Sequence, residues 1–81
     1  MEMKELIREI TTALVDNPEE VKITQIEGDR TAVIELRVAR TDFGKIIGKK
    51  GKTINAIRTL LMSVASRNGI RVNLEIIEEA V

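Results

Sequence analysis

The sequence predicts an α+β domain of element order αββααβ, a three-stranded mixed sheet packed on three helices. Three observations carry that prediction: helical spacing of apolar residues at the start and middle of the chain, two-residue alternation between and after those stretches, and turn chemistry at the junctions. The chain has 81 residues, so one domain spanning 1–81 is expected, near the lower size limit at which a hydrophobic core holds a fold without staples.

Met3, Leu6, Ile7, Ile10 and Leu14 recur at helical spacing, which makes residues 1–15 an amphipathic helix with Lys4, Glu5, Arg8 and Glu9 turned outward. Asp16-Asn17-Pro18 ends it, because the residue before a proline is pushed out of the helical region. Residues 21–27 are β-branched and partly alternating, Gly28-Asp29 supplies a turn, and Ala32, Ile34, Leu36 and Val38 share one face of a second strand over 31–38. This is a β-hairpin. Thr41-Asp42 offers an N-cap to a short helix over Phe43–Ile47, which Gly48 terminates. From Lys52 to about Ser66, Ile54, Ile57, Leu60, Leu61, Val64 and Ala65 form the apolar face of a longer helix, with Asn55, Arg58, Thr59 and Met62 opposite. Asn68-Gly69 stops it, and Ile70, Val72, Leu74 and Ile76 alternate with Arg71, Asn73 and Glu75 in a last strand. Two helices separate that strand from the one at 31–38, so as sheet neighbours the two run parallel through a crossover.

Composition narrows the chemistry. With zero cysteines and zero histidines there is no disulfide, no thiolate or imidazole metal site and no Cys/His or Ser/His nucleophile pair. An enzyme is not expected, nor a metal or other cofactor. No apolar run approaches the roughly 20 residues that cross a bilayer, and Met1-Glu2-Met3-Lys4-Glu5 lacks a signal-peptide layout, so a cytoplasmic protein without membrane contact is expected.

The charges cancel in sum, 13 basic against 13 acidic, but not in distribution. From Phe43 to Leu74 there is no acid, while Lys45, Lys49, Lys50, Lys52, Arg58, Arg67 and Arg71 give +7. The remainder carries 13 acids against 6 bases. Steering depends on local field more than net charge, so the basic region points to an anionic partner. Chance segregation of solvated surface charge is the plain alternative.

The basic region centres on Gly44-Lys45-Ile46-Ile47-Gly48-Lys49-Lys50-Gly51-Lys52-Thr53-Ile54. Two glycines three apart allow a sharp turn and remove Cβ atoms from a ligand's approach, while the helix that follows directs free N–H groups at the turn. That geometry suits phosphate. Lys49 and Lys50 add charge at the tip, and Lys45 and Lys52 widen it. Such contacts hold a backbone without reading sequence. Ile46, Ile47 and Ile54 are the nearest apolar candidates for meeting bases. A GxxG on its own also fits a plain helix-turn-helix joint with solvated lysines; the flanking isoleucines and the position between two helices of an αββααβ chain favour the ligand site. Gly51-Lys52-Thr53 mimics the end of a nucleotide-binding P-loop, but Ile46 stands where that motif needs glycine. Phe43 is the only aromatic residue, which excludes domains that stack bases on several rings. Phe43 itself reads as a core anchor.

Ile46-Ile47-Gly48-Lys49-Lys50-Gly51-Lys52-Thr53-Ile54 resembles the signature of KH domains, and the element order resembles their type II form. The GXXG loop of KH domains clamps about four nucleotides of single-stranded nucleic acid. With Leu14-Val15-Asp16-Asn17-Pro18-Glu19-Glu20-Val21, Leu36-Arg37-Val38-Ala39 and Ala56-Ile57-Arg58-Thr59-Leu60-Leu61, nearly the whole chain is similar to the small single-KH bacterial proteins of the KhpA family. The resemblance implies a single-stranded RNA binder acting as an RNA chaperone or post-transcriptional regulator. It also implies a second KH-containing protein of the KhpB kind as partner, effects on cell envelope growth and cell length, and homodimers. It assigns Gly48, Lys49, Lys50 and Gly51 to phosphates and Ile46, Ile47 and Ile54 to a base groove. Position rather than motif assigns Val38 to the far wall of that groove and Arg58, with Lys45 and Lys52, to the backbone. The competing reading is a protein-assembly module in which RNA binding is auxiliary, supported by Met62 as a lone apolar residue on a polar helix face.

Overall fold

A computed structural model describes residues 2–78, and the order of its main elements is that expected from the sequence. Helix α1 spans Met3–Leu14 and strands β1 and β2 span Lys22–Glu27 and Thr31–Val38. Helices α2 and α3 span Phe43–Ile47 and Lys52–Arg67, and β3 spans Arg71–Glu78. The expected start of α1 at Met1 lies outside the described residues. Single 3-10 turns at Pro18–Glu20, Arg40–Asp42 and Lys49–Gly51 fill three of the connections.

The sheet order is β1-β2-β3, with β1 and β2 antiparallel and β2 and β3 parallel. Register follows from alternation: Ile23 faces Leu36 and Leu74 faces Ile34, so apolar residues of three strands share the helix side. Ile34, Leu36 and Val38 of the central strand are fully buried there against Ile7, Ile46 and Leu61 from the helices. Val38 pairs with Glu78, so the end of β3 lies beside the exit from β2 toward α2. Among the described residues no helix is long and apolar enough to cross a membrane, and no group of three acidic residues could hold a metal ion.

Three burial assignments differ from the sequence expectation. Leu14 and Leu60 are exposed, and Thr11 is fully buried in their stead. Thr11 continues the series Met3, Ile7 at four-residue spacing, which sets the true buried stripe of α1 one row away from Leu14. Leu60 sits one residue, about 100° of helix rotation, from the buried Leu61 and falls outside the stripe Ile54, Ile57, Leu61, Ala65.

Candidate nucleic-acid interface

The loop between α2 and α3 is built by backbone conformations that few residues adopt. Gly48 ends α2 at φ 76°, ψ 171°, and its N–H donates to the Gly44 carbonyl at 2.9 Å. Gly51 N–H donates to the Gly48 carbonyl at 3.1 Å, closing a four-residue turn. Within it Lys50 is left-handed at φ 57°, ψ 25°, and Gly51 follows at φ 75°, ψ 14°. Lys50 is the only non-glycine residue with positive φ among those described. A lysine there costs about 1–2 kcal/mol that a glycine avoids, so the turn holds a cation where local conformation favours none.

The two glycines have different reasons. A Cβ on Gly48 would stand 2.6 Å from Thr53 Cβ and 2.8 Å from the Thr53 backbone nitrogen. Gly48 is therefore packed against the first turn of α3. At Gly51 nothing lies nearer than 3.8 Å, so only its left-handed φ matters. No side chain caps α3, which leaves first-turn N–H groups and the positive end of the helix dipole directed at the loop. Lys49, Lys50 and Lys52 are all exposed around that end.

Lys45 is in a different situation. Its ammonium lies 3.0 Å from Asp16 Oδ2 and 3.4 Å from Asp42 Oδ1. The hydrogen bond to Asp16 raises its pKa, burial opposes this, and the remaining attraction of Asp16 and Asp42 leaves it above the ordinary lysine value. Lys45 is thus already paired within the protein.

Asp42, expected to cap α2, makes no such cap. Its carboxylate is completely buried and accepts from the backbone N–H of Asp16 (3.1 Å) and of Asn17 (3.0 Å) and from Asn17 Nδ2 (3.1 Å). Burial alone pushes the carboxyl up; these bonds, with the one from Lys45, outweigh it and hold the group below its ordinary value. The clamp ties the end of α1 to the start of α2, and α2 leads directly into the loop. Sequence reasoning missed it because its partners lie 25 and 26 residues away and no local pattern announces the pairing.

The residues expected to form the base groove sit at different depths. Ile46 and Val38 are fully buried and Ile54 is 4% exposed; they are core beneath the loop and not an open lining. Ile47 alone of the four is half-buried. The open groove lies between α3 and β3, which returns from α3 through a tight turn at Asn68-Gly69. It forms two adjoining depressions of about 380 and 670 Å³ that share Met62, Val72 and Asn73. Arg58 lines the smaller one and reaches across to the Leu74 carbonyl with a long 3.5 Å contact. Met62, the apolar residue on the polar face of α3, lines both depressions and is exposed there. β3 borders this groove as an edge strand, since among the described residues its only sheet neighbour is β2. The signal was present in the alternation of Val72 and Leu74, but sequence alone does not say which strand stands at an edge.

Comparison with known proteins places this geometry. A family model described as "KhpA/KhpB, KH domain" matches residues 4–76. The RNA-binding protein KhpA of Chlamydia pneumoniae is 61% identical over 77 residues, covering 95% of this chain and 99% of that protein. The proteins of the same name from Borreliella burgdorferi and Aquifex aeolicus are 49% and 45% identical, over 91% and 94% of this chain and 90% and 96% of theirs. No solved structure matches. The family match spans both helices that flank the glycine-lysine loop, all three strands to Ile76 and most of α1, and the chain belongs to the KhpA/KhpB KH-domain family.

Proposed function

We propose that this protein binds single-stranded RNA in the cytoplasm, with Gly48, Lys49, Lys50, Gly51 and Lys52 engaging the phosphate backbone. The observation that carries the reading is Lys50, an exposed cation held in a left-handed conformation at the tip of a turn that abuts an uncapped helix N-terminus. Strained backbone of this kind concentrates at functional sites. The name shared by the relatives supports the same ligand. Bases lie over Ile47 and along the α3–β3 groove, above the floor formed by Ile46, Ile54 and Val38, and Arg58 meets the backbone between them. Contact with phosphates and aliphatic groups, without aromatic stacking, gives a sequence-tolerant binder. Such a binder suits an RNA chaperone or post-transcriptional regulator, acting with a KhpB-like KH-containing protein in envelope growth and cell-length control. One four-nucleotide site binds weakly, and pairing with that partner or a second copy raises affinity through effective concentration.

The test is Lys49→Asp with Lys50→Asp. Aspartate tolerates the left-handed conformation at position 50, so the circular dichroism spectrum and melting temperature should stay unchanged while RNA binding is lost. Unaltered RNA affinity in the double variant refutes the proposal.

A further inference from the structure

We propose that Asp42 is a positioning residue for RNA binding: its buried carboxylate fixes α2 to the connection that follows α1, and through α2 it sets where the turn at 48–51 stands above α3. Asp42 is completely buried and does not itself meet RNA. This rests on the RNA reading above and assigns what holds that site in place.

The turn hangs between two helices that are gripped unequally. α3 has 16 residues and buries Ile54, Ile57, Leu61 and Ala65. α2 has five residues and buries Ile46 alone, with Phe43 and Ile47 half-buried beside it. A helix so short does not persist by itself, so its direction depends on what holds it. Burial of Ile46 resists pulling α2 off the core, but apolar contact is non-directional and leaves a tilt about that side chain open. Gly48 lies six residues beyond Asp42, about 9 Å along the helix. A tilt of about 10° over that length moves Gly48 by about 1.6 Å, enough to spoil hydrogen bonds whose partners must come within about 3.2 Å.

The Asp42 carboxylate supplies the missing direction. Its Oδ1 accepts from the Asp16 backbone N–H at 3.1 Å, and its Oδ2 from the Asn17 backbone N–H at 3.0 Å and from Asn17 Nδ2 at 3.1 Å. Two oxygens held by two residues fix an orientation as well as a distance. Asn17 Nδ2 also reaches Thr41 Oγ1 at 3.4 Å, and Lys45, one turn along α2, lies 3.0 Å from Asp16 Oδ2. The segment that grips α2 is itself anchored. Val15 and Val21 on either side of it are buried, and the Val15 N–H donates to the Thr11 carbonyl at 3.1 Å. Pro18 stiffens the stretch between them.

Charge alone predicts the opposite effect of removing this carboxylate. Without the Asp42 charge Lys45 is left to Asp16, and the positive field beside the loop rises, which favours an anionic ligand. Loss of the clamp disfavours it. The sign of the change in RNA affinity therefore separates positioning from electrostatics.

The experiment measures binding of a fluorescently labelled mixed-sequence RNA dodecamer across a salt series, for the wild type, Asp42→Asn and Asn17→Ala. Each protein is held well below its own melting temperature, with folding checked by circular dichroism. Asparagine keeps the shape of Asp42 but turns an N–H donor toward backbone donors. If the loop then holds its binding arrangement about one tenth of the time, affinity falls about tenfold. Asn17→Ala changes no charge, removes one donor and leaves both backbone ones, so a loss of about threefold is expected. The salt slope should match the wild type in both variants, because no phosphate contact is removed. A purely structural role lowers the melting temperature and leaves affinity where it was. Wild-type or tighter affinity in folded Asp42→Asn overturns the positioning role, as does weaker binding with a slope shallower by about 0.7 or more, the mark of a lost phosphate contact. If Asp42→Asn does not fold, Asn17→Ala decides: unchanged affinity overturns the role, and a loss at unchanged slope upholds it. A wild type that binds no RNA overturns the RNA reading itself.

Discussion

Gly48→Ala tests whether the loop is fixed by packing as well as by backbone conformation. At φ 76°, ψ 171° Gly48 lies in a region almost confined to glycine, where another residue costs about 1–3 kcal/mol. The added methyl also meets Thr53. Rotating the Thr53 hydroxyl away leaves its Cβ at 2.6 Å and its backbone nitrogen at 2.8 Å, so the first turn of α3 must shift, at an overpacking cost of about 1–3 kcal/mol. The sum is about 2–6 kcal/mol against a total stability of roughly 4–12 kcal/mol for a domain of this length. Gly51→Ala faces only the left-handed penalty of about 1–2 kcal/mol, because no atom lies nearer than 3.8 Å. Gly44→Ala, with nothing within 4 Å and no positive φ, should be neutral or stabilising by up to about 1 kcal/mol. Urea unfolding followed by far-UV circular dichroism measures all three; the chain has no tryptophan or tyrosine to report by fluorescence. A Gly51→Ala variant that loses as much stability as Gly48→Ala refutes the packing explanation of Gly48.

Thr11→Val should stabilise the domain by about 1 kcal/mol in the same assay, since the Thr11 hydroxyl is buried without a partner among the described residues and valine keeps its shape. Asp42→Asn should flatten the acid limb of stability. The folded carboxyl is held below 3.8, so its contribution is complete above that value and is lost as pH falls through the window beneath it. Wild-type melting temperature should then fall more steeply than the variant's below about pH 4; parallel curves refute the clamp's charge dependence. Lys45→Gln should weaken RNA binding less than Lys52→Gln, because Lys45 is held by Asp16 and Asp42. The reverse order places Lys45 on the RNA.

Periodicity located elements well where one face is buried and the other wet. Thr31–Val38 and Phe43–Ile47 have the expected bounds, since alternation and a glycine stop are local signals. Burial was harder to read where polarity and position conflict. Thr11 has the spacing of a core residue and the chemistry of a surface one, while Leu60 has the reverse. Glycine spacing marked the loop at 48–51, but Lys45 could not be separated from Lys52 without the fold, because the carboxylates that occupy it come from a distant segment and from a buried position. Likewise Ile46 and Ile54 sit beside the loop in sequence and beneath it in space.

The neutral net charge of this chain gains a physical meaning from that geometry. Of the seven cations between Phe43 and Leu74, Lys45 is neutralised internally by Asp16 and Asp42. The carboxylates that remove it also brace α2, from which the loop departs. The acidic part of the sequence therefore fixes the position of the basic part instead of merely balancing it. Six cations remain: Lys49, Lys50 and Lys52 at the loop, Arg58 and Arg71 in the groove, and Arg67 at the end of α3. If RNA engages every one, counterion release gives these six a salt slope of about 4, and the loop alone about 2. A slope above that value requires cations from outside the segment from Phe43 to Leu74, on this chain or on a second one, and a slope that steepens with protein concentration assigns them to a second chain.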